Sequence, residues 1–141
     1  MTTTAVKIEN QMDRLLEAAD LVHRHRELEF NKLGTTPTAV DALKQLRRVP
    51  FLIERQISKA IRREPHSVVA LLVRMQCRGL VSTERVGATV RVSITLAGLE
   101  LLGLVDTIDG KLAYFDYLDE ERQQELSVCL ERVIERTREL L

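Results

Sequence analysis

Apolar side chains recur at helical intervals near both ends of the chain. Toward the N-terminus Ile8, Met12, Leu15, Ala19 and Val22 follow at steps of four, three, four and three, which aligns them on one face of an α-helix. Toward the C-terminus Leu126, Leu130, Val133, Thr137 and Leu140 repeat the same steps. Burial within one chain is one way to cover such seams. Both helices are too long for a small middle domain to shelter, however, so packing against each other or against a partner chain is expected.

Between the seams the pattern is broken into shorter pieces. Gly34-Thr35-Thr36-Pro37 interrupts the first helix and starts a second, with Thr36 suited to the cap and Pro37 to the first turn. Ala39, Val40, Leu43 and Leu46 form its buried face, and Val49-Pro50 ends it, because a residue before proline avoids the helical region. A third helix is predicted over about 51–62, with Ile53, Ile57, Ala60 and Ile61 inward. Arg63-Glu64-Pro65 is a tight connector, and a fourth helix runs over about 66–78 on Val68, Leu71, Leu72 and Met75, with Gly79 as C-cap. The period then drops to two. Segments 80–85 and 89–94, rich in β-branched residues, flank Gly87-Ala88 and predict a short hairpin. Thr95 caps a fifth helix expected to reach about Tyr114 unless Asp109-Gly110 interrupts it, and Asp119 caps the last, with Glu120 and Glu121 in its first turn.

This order is that of a mostly helical (α+β) winged helix-turn-helix. Residues 36–95 are expected to form the lobe with a two-stranded wing, and residues 1–33 and 96–141 a helical dimerisation region of the same single domain. The turn joins two helices that cannot bury their apolar faces alone, and the second is free to enter a DNA major groove.

Composition agrees. The 141 residues are 45% apolar and 30% charged, as in a globular domain with one main core. Aromatics are only 4% and Trp is absent, so aliphatic residues must build that core, which favours helices. No apolar run approaches the ~20 residues of a membrane span, and residues 1–6 lack the layout of a signal peptide; a cytoplasmic protein without a membrane partner is expected. The net charge of zero hides an asymmetry. Residues 42–105 hold eleven Lys/Arg against four Asp/Glu, whereas residues 1–41 hold five against seven and residues 106–141 five against ten. A basic centre between acidic ends is the footprint of a chain whose middle meets a polyanion.

Three short motifs resemble those of the MarR transcriptional regulators. The segment His66-Ser-Val-Val-Ala-Leu-Leu-Val-Arg-Met-Gln-Cys-Arg-Gly-Leu-Val81 is similar to that family's recognition helix ending in R-G-L-V. Ile94-Thr-Leu-Ala-Gly98 is similar to its L-T-x-x-G, and Leu118-Asp-Glu-Glu121 to the L-S-P-E-E that opens its last helix. Helix order and length agree, so the resemblance spans most of the chain. It implies a homodimer built from the terminal helices, presenting two winged lobes to a pseudo-palindromic operator. It further implies a repressor, released by a small phenolic or other effector or by thiol oxidation. The chain departs from the family at the wing, where the position of a usual Arg is Ala88.

Candidate site residues follow. Arg55, Lys59, Arg62, Arg63, Arg74, Arg78, Arg85 and Arg91 are the candidate phosphate contacts. His66, Ser67, Ala70 and Arg74 are the candidate groove-facing residues, with Ala70 or Val69 suited to thymine methyl groups. Val69 and Val73 either face the groove or pack on a neighbouring element. Ile8, Met12, Leu15, Leu126, Leu130 and Val133 are the candidate dimer contacts. Phe30, Tyr114 and Tyr117, with Phe115, are candidates for an effector pocket, against ordinary packing. Cys77 and Cys129 have no metal-ligand companions and are expected to serve as small apolar residues. His23 and His25 lack further ligands, so no metal or other cofactor is expected. Without a Ser-His-Asp set, a phosphate loop or HExxH, an enzyme is not expected. The alternative is a winged-helix protein-interaction module that does not bind DNA, favoured by Ala88 and the apolar groove face.

Overall fold

The computed structural model describes residues 3–111 and 113–141, with side chains from Glu9 to Gly110 and from Ala113 onward. The chain divides into two compact units, one ending at Ile108 and the other running Asp109–Leu141.

The first unit opens with α1 (Thr3–Asn31), a helix about 43 Å long at 1.5 Å per residue. Among its described side chains, Phe30 near the C-terminal end is the one that enters the core. It closes in a Schellman motif: Thr35 N–H donates to the Phe30 carbonyl at 3.2 Å and Gly34 N–H to that of Asn31 at 3.0 Å. The motif requires left-handed backbone at Gly34, where φ is +76°. Helix α2 (Pro37–Leu46) begins where predicted, with the Thr36 hydroxyl accepting from Ala39 N–H at 3.3 Å, and ends at Leu46, short of Val49-Pro50.

The third helix differs from expectation at its start. Leu52–Ile53 is a strand, β1, and α3 spans Glu54–Ile61. The apolar residues after Pro50 find backbone partners in the wing instead of in a helical turn. β1 pairs antiparallel with β3 (Thr89–Ile94), placing Leu52 opposite Val92 and Ile53 opposite Arg91. β3 also pairs with β2 (Val81–Val86) through the Gly87-Ala88 turn. The sheet therefore has three strands in the order β1-β3-β2, one more than the predicted hairpin.

Helix α4 (Pro65–Cys77) lies against the lobe on Val68, Leu71, Leu72 and Met75. Helix α5 (Leu96–Lys111) adds Leu102 and Val105 to the same core, where they join Phe30, Leu43, Ile57 and Val92. Two sequence motifs meet here in one joint. The Thr95 hydroxyl donates to the Gly79 carbonyl at 2.5 Å and accepts from Gly98 N–H at 3.1 Å, while Thr95 N–H donates to the Leu80 carbonyl. A Cβ on Gly98 would collide with that carbonyl and with the Ile94 side chain, so only glycine lets α5 approach the end of α4 this closely.

In the second unit, Asp119 caps α6 (Glu120–Leu140), accepting from Arg122 N–H at 2.8 Å and pairing with the Arg122 guanidinium at 2.7 Å. The Gln123 amide donates to the carbonyls of Phe115 and Leu118 and ties the preceding turn to the helix. No side chain of α6 is buried. Among the described residues, no helix is long and apolar enough to cross a membrane.

Candidate nucleic-acid interface

The turn between α3 and α4 is short because Arg62 adopts left-handed backbone, with φ 56°. Arg63 N–H donates to the Ser58 carbonyl at 3.1 Å, and the buried Ser58 hydroxyl donates to the Arg63 carbonyl at 2.5 Å. Pro65 then opens α4, where its missing N–H costs no hydrogen bond. With 3.6 residues per turn, burial of Val68, Leu71, Leu72 and Met75 turns the opposite face to solvent. His66, Ala70, Val73 and Cys77 run along the middle of that face, with Val69 and Gln76 on one flank and Ser67 and Arg74 on the other; all are exposed. Val69 and Val73 therefore pack on no neighbouring element: they are 42% and 55% accessible.

Cations lie on α4 and on the elements that contact it, α3 and β2. Arg55 and Lys59 on α3, Arg62 and Arg63 in the turn, Arg74 and Arg78 around the end of α4, and Arg85 on β2 are all exposed or half-exposed. Among the described residues, no ion pair occupies Arg55, Lys59, Arg62, Arg74, Arg78 or Arg85. Their charge remains available to a polyanion, and clustered charge of one sign raises the local potential. Arg63 directs a guanidinium nitrogen at the Thr38 hydroxyl, at 3.5 Å. Arg78 turns back toward the end of α1, with Nη1 3.6 Å from where a Cβ on Gly34 would stand. Ser67 and Arg74 line a cleft of about 360 Å³ with His23, Glu27, Thr36 and Thr38.

The wing carries its cations away from its tip. Gly87 and Ala88 form the turn, and Arg85 and Arg91 sit on the strands. Arg91 is half-buried because its guanidinium lies over the Phe51 ring, 4.4 Å from the centroid, a distance at which cation–π attraction operates. The helical pattern expected over 51–62 hides this role of Phe51. The short apolar run Phe51-Leu52-Ile53 carries no period that would separate a strand from the start of a helix.

Other candidates fall elsewhere. Met12, Leu15, Leu130 and Val133 are exposed and Leu126 is half-buried, while the side chain of Ile8 lies outside the described residues. Phe30 is enclosed by the core, which corrects its expected place at an effector pocket: the end of α1 needs it as an apolar plug. Tyr117 is 81% accessible, and Tyr114 meets Phe115 edge-on, with ring centroids 6.5 Å apart. Cys77, on the outward face of α4, and Cys129, on α6, are exposed free thiols rather than packed apolar residues.

No family model matches the chain, and no curated protein is detectably similar to it in sequence. Solved structures are similar in fold. The MarR family transcriptional regulator AbsC from Streptomyces coelicolor superposes with a TM-score of 0.81 at 20% identity, covering 98% of this chain and 97% of its own. A MarR transcriptional regulator from Methanosarcina mazei gives 0.81 at 15% identity, over 94% and 99%. MepR from Staphylococcus aureus, solved as a complex with DNA, gives 0.71 at 15% identity, over 87% and 93%. At these identities the likeness is one of fold.

Proposed function

Starting from a chain with the fold of MarR regulators, we propose that it is a sequence-specific double-stranded DNA-binding transcriptional regulator. It acts as a homodimer and as a repressor on a pseudo-palindromic operator. The observation that carries this reading is the solvent-facing side of α4, with exposed guanidinium groups that have no carboxylate partner on α4 itself and on the adjoining α3 and β2. Each lobe places α4 in a major groove, and the two lobes read half-sites about one helical turn apart. Arg55, Arg62, Arg63, Arg74 and Arg85 hold phosphates, while Arg91, steadied by Phe51, extends that contact to the wing. The known DNA complex of MepR, which shares the fold, supports this docking.

Dimerisation follows from the terminal helices. Met12, Leu15 and Leu16 on α1, and Leu130, Val133 and Ile134 on α6, expose apolar surface that water disfavours. A second copy of the chain is the partner that matches both seams, through an isologous interface. A small-molecule effector that releases the repressor belongs to the same reading.

The test is fluorescence anisotropy on the DNA upstream of the chain's own coding sequence, at several salt concentrations. Affinity is expected to fall by about a thousandfold or more between 50 and 200 mM salt if six or more phosphates are held. Arg74→Ala is expected to weaken binding and to make the salt slope shallower by about one unit for each phosphate it no longer holds. Arg14→Ala, in the acidic N-terminal segment, is expected to leave both unchanged. Equal losses from the two variants, or no salt-dependent binding, would refute the proposal. The second reading, a winged-helix protein-interaction module, is favoured by the exposed Val69 and Val73 and by the uncharged tip at Ala88. It predicts no salt-dependent DNA binding.

A further inference from the structure

The outward face of α4 is poor in polar side chains for a helix that carries and adjoins so many cations. Along its centre, Ala70, Val73 and Cys77 present no strong hydrogen-bonding group, and Val69 widens the apolar strip on one side. His66 alone, at the helix start, offers a ring nitrogen. Ser67 and Arg74, the other polar residues of the N-terminal two-thirds, lie on the flank facing the cleft with His23 and Glu27. Bidentate readout of guanine needs Arg or Lys aimed at the base edges, and bidentate readout of adenine needs Asn or Gln. The middle of this face has neither.

A helix can still discriminate bases without hydrogen bonds. The C5-methyl group of thymine is the one apolar feature in the major groove. Burying it against Val or Ala removes apolar surface from water on both sides. Arg74 on the flank and the cations of the adjoining α3 and β2 supply the complement to the phosphate backbones that border such a groove. An apolar strip with a cation on its flank and unpaired cations on the adjoining elements matches a thymine-rich major groove better than it matches a protein surface, where the cations would need carboxylate partners.

Resting on the proposed function, we infer that Val69, Ala70 and Val73 form a thymine-methyl reader, and that the half-site bound by each lobe is defined by thymines rather than by guanine contacts. The specificity of the chain is thus set by shape and apolar contact at the centre of α4, while its affinity is set by the arginines of α4 and its adjoining elements.

The experiment selects bound duplexes from a random-sequence pool with the full-length protein. Individual thymines of the selected half-site are then replaced by deoxyuridine, which removes the methyl group and keeps every hydrogen-bonding atom. Affinity is expected to fall about fourfold for each methyl group buried against the strip. Val73→Ser is expected to bring the thymine-to-deoxyuridine ratio at one position toward unity while leaving the salt slope unchanged. Because Val73 is solvent-facing, its folding is expected to be intact, and the deoxyuridine comparison on the wild-type protein needs no variant at all. Equal affinity for thymine and deoxyuridine duplexes would overturn the inference and leave DNA binding standing. Failure of any duplex to bind in a salt-dependent way would overturn both.

Discussion

Helices α4 and α6 carry apolar repeats of similar quality and have opposite fates. In α4 the repeat Val68, Leu71, Leu72 and Met75 is buried against the lobe, whereas in α6 nothing is buried and Val128, Leu130, Val133 and Ile134 stay accessible. Periodicity reports that a face wants to leave water; it does not say where the cover comes from. For α4 the cover is α2, α3 and the wing, held to it by the Thr95 joint. For α6 we propose that it is a second chain. One apolar face thus supports the stability of a lobe, and the other supports an association.

The largest effect expected is in the lobe. Leu43 is fully enclosed, so Leu43→Ala should cost about 2–5 kcal/mol. In thermal unfolding the midpoint should drop by the same amount at every protein concentration. If the drop shrinks as concentration rises, the lobe draws its stability from association and the contrast with α6 collapses.

Next is the association itself. Leu130→Glu with Val133→Glu should abolish the dimer, since each unpaired charge buried in an apolar interface costs several kcal/mol. Sedimentation at micromolar concentration should find wild-type dimers and variant monomers. A monomeric wild type would leave the apolar face of α6 unexplained.

A smaller effect is expected at the joint that fastens α5 to α4. Thr95→Val removes a hydroxyl that serves both the Gly79 carbonyl and the Gly98 N–H. Leaving those groups unpaired should cost about 1–3 kcal/mol, read as a lower denaturant midpoint without loss of the dimer. An unchanged midpoint would mean that solvent replaces both bonds.

The smallest effect has the opposite sign. Arg62 holds left-handed backbone with a side chain attached, so Arg62→Gly should raise stability by up to about 1 kcal/mol. The same change deletes a cation of the turn and should weaken DNA binding. Calorimetry and anisotropy on this variant separate folding from function; a parallel rise in both would show that Arg62 serves the turn alone.

Local rules made much of this architecture readable. Thr36 and Pro37 start α2, Asp119 caps α6, and the alternation around Gly87-Ala88 marks the wing, because each depends on neighbours within a few residues. The elements that sequence does not reveal depend on distant partners. A two-residue strand has no period to detect, and β1 exists only because β3 offers it backbone groups. Arg91 reads as a free cation until Phe51 is found beneath it. Phe30 reads as a pocket aromatic until the core closes around it.

The amino-acid sequence by itself determined the helices, their caps, the hairpin and the concentration of positive charge in the middle of the chain. These follow from side-chain periodicity, backbone propensity and simple charge count. The tertiary structure alone decided that Val69 and Val73 on α4 face solvent, that Gly98 must be glycine so that α5 can pass the Leu80 carbonyl, and that Arg91 lies over Phe51. Each of those outcomes depends on whether residues far apart along the chain meet in space, which no local pattern encodes.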